Sequence, residues 1–134
     1  MNNLASVLKS LNRLKEAEEL YREALIFRKA NLLPNHPDIG TSMNNLAFVL
    51  KSLNRLKEAE ELYREALIFN RANLLPNHPS IGTSMNNLAS VLNSLNRLKE
   101  AEELYRDALI FRKANLLPNH PDIGDSMNNL AFVL

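Results

Sequence analysis

Cysteine and tryptophan are absent from the 134 residues. No disulfide, thiolate nucleophile or thiolate metal site can therefore form, and a cysteine-free chain fits a cytoplasmic location. Glycine is scarce: Gly40, Gly82 and Gly124 stand isolated, so no glycine-rich phosphate loop exists. Neither sign of charge is in real excess. Sixteen Lys+Arg against fifteen Asp+Glu give a formal charge of +1, which leaves no net field to hold nucleic acid. Long apolar runs are missing too, none approaching the roughly 18 residues of a membrane span. The opening residues MNNLASVLKSLNRLKE lack the charged start and unbroken apolar core of a signal peptide. Strict β-branched alternation does not occur, so no strand is expected.

What the chain has is repetition. With 46% hydrophobic and 23% charged residues it carries enough apolar surface to order itself. MNNLA begins at Met1, Met43, Met85 and Met127, a period of 42 residues without slippage. The sequence thus predicts one repeat array over 1–134: copies 1–42, 43–84 and 85–126, then the start of a fourth at 127–134. Between the first two copies only Ser6/Phe48, Arg28/Asn70, Lys29/Arg71 and Asp38/Ser80 differ.

Inside a copy, Pro34-Asn35-His36-Pro37 is the strongest break, because proline lacks a backbone donor and disfavours helix in the residue before it. Pro37 also suits the first turn of a new helix, and Asp38 complements the positive end of its dipole. From there Ile39, Met43, Leu46, Ala47, Leu50 and Leu53 recur at threes and fours, predicting helix A from Pro37 to near Asn54. After the link Asn54-Arg55, the set Leu56, Ala59, Leu62, Tyr63, Ala66, Leu67 and Phe69 predicts helix B from Leu56 to near Leu74. Lys57, Glu58, Glu60, Glu61, Arg64 and Glu65 read as its solvated wall, with Glu60 four residues before Arg64 in the favourable order. The fold class is all-α.

These residues resemble the tetratricopeptide repeats, in the 42-residue version of kinesin light chains and similar bacterial proteins. The resemblance covers essentially the whole chain. It rests on Leu46-Ala47, Leu50, Leu56, Ala59, Tyr63 and Ala66, then Leu74-Leu75-Pro76-Asn77-His78-Pro79 and Met85-Asn86-Asn87-Leu88-Ala89. Ala47, Ala59 and Ala66 lack bulk where two helices approach, while Leu50 and Tyr63 fill the space between them. HEAT and armadillo units have similar lengths but do not account for the placement of Ala59, Tyr63 and Ala66. The resemblance implies a right-handed superhelical solenoid of antiparallel helix pairs, with helix A lining the concave side. It also implies a protein–protein interaction scaffold that takes an extended peptide or partner segment in the helix A groove.

Opposite the packing leucines, helix A carries Thr41, Asn44, Asn45, Phe48, Lys51 and Ser52 on one face, and the next copy adds Asn86, Asn87 and Ser90. This face is the candidate peptide groove. Asn45 and Asn87 offer both donor and acceptor to a peptide backbone, a use that resembling proteins make of the corresponding slot. The other reading is that these asparagines are simply exposed or bond to adjacent turns. Phe48 stands where Ser6 and Ser90 serve equally well, so packing does not demand it, and an exposed aromatic can anchor a partner. Filling a narrow groove is the competing role. Lys9 and Lys51 add a modest bias towards acidic ligands that Asn93 removes in the third copy. The slots where chaperone-binding relatives place a carboxylate clamp hold Asn44, Asn86, Thr83 and Asp125, which argues against chaperone-tail recognition.

Catalysis finds no support, and no enzyme activity or cofactor is expected. His36, His78 and His120 are the only histidines, separated by the repeat, and read as loop residues that cap or pack beside the next helix. The glutamates of helix B sit near no apolar pocket in the sequence, and Ser52 and Ser84 lack a nucleophile-elbow context. The isolated glycines read as points of close backbone approach. Neither nucleic acid nor a membrane is an expected partner; a protein or peptide is. The alternative function is self-association through uncapped ends, where Leu4 at one end and Leu130, Val133 and Leu134 at the other would be exposed and give a homo-oligomer.

Overall fold

The computed structural model describes residues 13–134. Six helices follow in order: α1 (Leu14–Asn31), α2 (Pro37–Ser52), α3 (Leu56–Asn73), α4 (Pro79–Ser94), α5 (Leu98–Asn115) and α6 (Pro121–Val133). No strand occurs among the described residues. Helix A of each copy is α2, α4 or α6, and helix B is α1, α3 or α5; α1 to α5 each end within two residues of the boundary that periodicity predicts. The chain is therefore an all-α series of helix pairs. It gathers into two compact units, Met1–Phe69 and Asn70–Leu134, with α3 running from one into the other.

Each helix A starts by the same device. His36, His78 and His120 take extended backbone at the N-cap, proline follows, and each ring Nδ1 accepts a hydrogen bond from the backbone N–H two residues on, at 3.1 Å in every copy. A neutral imidazole nitrogen thus does what a serine or aspartate oxygen usually does for an orphan amide. The histidines are caps, as the sequence suggests. The helix ends are alike too. Asn54 and Asn96 adopt the left-handed conformation at φ 62°, which asparagine tolerates better than most side chains. Around them Arg55 N–H reaches Leu50 O at 2.9 Å and Asn54 N–H reaches Lys51 O at 2.9 Å, the paired bonds of a Schellman turn.

In the first unit α1 packs on α2; in the second α4 packs on α5 and α5 on α6. The alanines predicted as contact residues are fully enclosed: Ala47, Ala59 and Ala66 in one unit, Ala89, Ala101 and Ala108 in the other, all at 0% exposure. Around them lie Leu46, Leu50 and Tyr63, then Leu88, Leu92 and Tyr105, all buried. Gly82 is closely approached, but by side chains and not by a backbone: a Cβ there would meet Phe111 Cδ1 at 3.1 Å and Arg112 Nε at 3.3 Å. Gly124 is not closely approached, having nothing within 4 Å.

The wall of helix B departs from expectation. Glu60 is buried at 8% exposure, although it does bond Arg64 at 3.0 Å as the four-residue spacing predicts. Glu18, in the same slot one period earlier, is also largely covered, and Arg55 reaches it from 37 residues away at 2.7 Å while holding Glu58 at 2.6 Å. Arg22 pairs with the other Glu18 oxygen at 2.9 Å. One arginine of the A-to-B link therefore ties its own copy to the helix B before it. Periodicity within a single helix does not reveal such a cross-link, because its partners come together only when neighbouring hairpins stack.

Candidate binding surface

Residues 44 to 52 of α2 form the stripe of the first unit. Leu46 and Leu50 turn into the core, while Phe48 is 47% exposed and Ser52 is exposed. Asn44, Asn45 and Lys51 are half-buried. Burial lowers the Lys51 pKa from its ordinary value, since a low-dielectric surrounding penalises the ammonium. Ser52 spends its hydroxyl on Phe48 O at 3.0 Å within its own helix, and Thr41 does the same with Pro37 O at 3.4 Å. Asn44 Oδ1 is buried without a hydrogen-bond partner.

The second unit arranges the same slots differently. Asn86 sets its side-chain amide against Arg112 of α5; with the amide oriented oxygen towards the guanidinium, that oxygen accepts from both terminal nitrogens at 2.5 and 2.9 Å. Arg112 also donates to Asp122 O at 3.1 Å and Ser126 Oγ at 2.9 Å, and is itself only 7% exposed. Ser90 shares a side-chain hydrogen bond with Tyr105, which offsets part of the rise that burial imposes on that phenol. Asn87 is half-buried. Asn86 and Ser90 are thus engaged with α5, while Phe48 and Ser52 face solvent.

Sequence reasoning missed the polar seam behind this stripe. Arg28, Asn70 and Arg112 share one slot near the end of helix B, and Ser42, Ser84 and Ser126 share one in helix A, fourteen residues later. Arg28 reaches Ser42 at 2.9 Å and Asp38 O at 3.1 Å; Asn70 reaches Ser84 at 2.8 Å. The serines are 0–1% exposed, and every copy supplies each with a donor. The signal was present: 28/70 is among the few positions at which the first two copies differ, and both residues carry N–H groups.

Of the self-association residues, Leu130 does not behave as predicted: it is 8% exposed, because α6 packs on α5 and carries that leucine inward. Val133 is half-buried and Leu134 is exposed; Leu4 lies outside the described residues. No cluster of three or more His, Cys, Asp or Glu among the described residues could hold a metal ion. No helix among them is long and apolar enough to cross a membrane.

A family model described as tetratricopeptide repeat matches residues 1–72, and a second of the same description matches 81–122. Among solved structures, the nearly identical TPR-like repeats of a kinesin-light-chain-like protein from Podosopora anserina superpose with TM-score 0.89 at 25% identity. That match covers 98% of this chain and 63% of the other. BtubC (BKLC) from P. vanneervenii is similar at TM-score 0.86 and 30% identity, covering 97% of this chain and 51% of the other. The chain thus spans between about half and two thirds of these structures' length. Comparison with curated proteins yields no match.

Proposed function

Because the chain belongs to the tetratricopeptide repeat family, whose members are generally protein–protein interaction scaffolds, we propose that it holds an extended segment of a protein partner on the helix A stripes. Phe48 carries this reading. A phenylalanine 47% exposed on a helix whose other apolar residues are buried, in a slot where the next copy has serine, supplies an anchor for a partner side chain. Phe132 occupies the same slot at 81% exposure. Asn45 and Asn87, half-buried beside the leucines, supply donors and acceptors for peptide groups. The test is capture of partners from native extract by the full chain and by Phe48→Ala and Asn45→Ala. Proteins held by the parent and lost from the variants, with helicity and melting temperature unchanged, support the reading; equal capture by all three contradicts it.

A second reading is self-association, favoured by Met127, Phe132 and Leu134, which lie within eight residues at 46%, 81% and 73% exposure. Exposed apolar side chains of this kind promote contact between copies. Light scattering across protein concentration distinguishes the two. A mass that rises with concentration and reverts in Phe132→Ser supports self-association, and a constant monomer mass removes it.

A further inference from the structure

A second concavity lies in the first unit, apart from the helix A stripe. It encloses about 210 Å³ where α1, α2 and α3 meet. Its floor is Leu25, Leu46, Leu50 and Leu62. Leu46 and Leu50 point away from Asn45 and Phe48 on α2, so the two surfaces share no side chain. The rim is charged: Arg22 from α1, then Glu58, Glu61 and Glu65 from α3.

The rim charges do not cancel. Arg22 pairs with Glu18, and Arg55 pairs with both Glu18 and Glu58, so two cations and two anions close on themselves. Glu61 and Glu65 are exposed, and among the described residues no cation forms an ion pair with either. They stand four apart on one helix face, where like charges destabilise each other by a few tenths of a kcal/mol. An apolar floor beneath two uncompensated carboxylates matches a side chain that is aliphatic along its stem and cationic at its tip. Arginine fits best, because its guanidinium is weakly hydrated and forks onto carboxylates.

We infer that this leucine-floored, acidic-rimmed pocket receives an arginine side chain of a protein partner, independently of the helix A stripe. The probe is the acetylated, amidated pentapeptide Ala-Ala-Arg-Ala-Ala, titrated into the full chain with backbone amide shifts read by NMR. The expected result is saturable shifts around Leu25 and Glu58 to Glu65, with those of Asn45 and Phe48 unmoved. Binding should weaken roughly fivefold in Glu61→Gln/Glu65→Gln, a solvent-facing change that leaves the fold intact, and should weaken with added salt. The same peptide with glutamate in place of arginine should not bind. Three results would overturn the inference: no saturable shift, equal binding of a norleucine peptide, or equal binding by the double variant. Failure of the stripe proposal would show instead at Phe48 and would leave this titration unchanged.

Discussion

Asn44 and Asn86 stand one period apart in the same slot, yet their amides are in different states. Asn86 gives its oxygen to a buried arginine, whereas Asn44 Oδ1 is buried with no partner. The Arg112 slot reads Asn70 one period earlier, and that shorter side chain spends its amide on Ser84. Likewise Ser90 bonds Tyr105, while the same slot in the first unit is the solvent-facing Phe48. Near-identical copies therefore give matching helix starts and ends but not identical surfaces. A handful of substitutions decides which stripe positions are engaged with helix B and which are exposed.

The copies should be most alike in the core. Leu50→Ala and Leu92→Ala, each from 2% exposure, should both cost about 2–5 kcal/mol in urea unfolding. A difference between them larger than this range would show that the two units pack unequally. The tyrosines should separate the units next. Burial pushes Tyr63 up to about 12, while Tyr105 rises under burial but is held back by Ser90. Unfolded tyrosine ionises near pH 10, so the folded state keeps the Tyr63 proton over the interval in which the unfolded chain loses it. Stability is then fully present below pH 10 and falls as pH rises towards 12, by on the order of 2–3 kcal/mol. Tyr63→Phe should flatten that alkaline slope, read by urea unfolding across pH, and Phe48→Ser should bring Tyr63 towards the behaviour of Tyr105, read by ultraviolet titration.

A smaller effect is expected at the seam. Arg112→Ala leaves Ser126 and Asn86 without their donor and should cost about 1–3 kcal/mol. Arg112→Asn should cost less, because Asn70 already shows that an asparagine in this slot reaches its serine. Equal losses from the two variants would mean that the seam contributes through packing of the arginine stem and not through its hydrogen bonds. The smallest effect belongs to Phe48→Ser, expected to change stability by under about 0.5 kcal/mol.

What could be read in the sequence follows the range of each interaction. Helix ends were legible because proline, histidine and asparagine act on backbone within a few residues, and the apolar stripes because they recur along a single helix. Arg55–Glu18 was not, since its partners meet only through stacking of one hairpin on the next, and the Arg112–Asn86 contact was not, since it forms only when the two helices of one hairpin pack together. Glu60 misled as well: its helix face reads as solvated in the sequence, yet in the folded chain it is only 8% exposed. Within the stripe, the exposure of Phe48 followed from its exchange with serine, whereas the engagement of Ser90 needed the position of Tyr105.

Phe48→Ser measures the separation of binding from folding most directly, because that exchange already exists within the chain. Affinity for a partner recovered by capture, determined alongside the melting temperature, should fall at least tenfold while melting is unchanged, the loss of about 1.4 kcal/mol or more that an aromatic anchor commonly carries. Unchanged affinity, or a loss matched by a fall in melting temperature, would contradict the account.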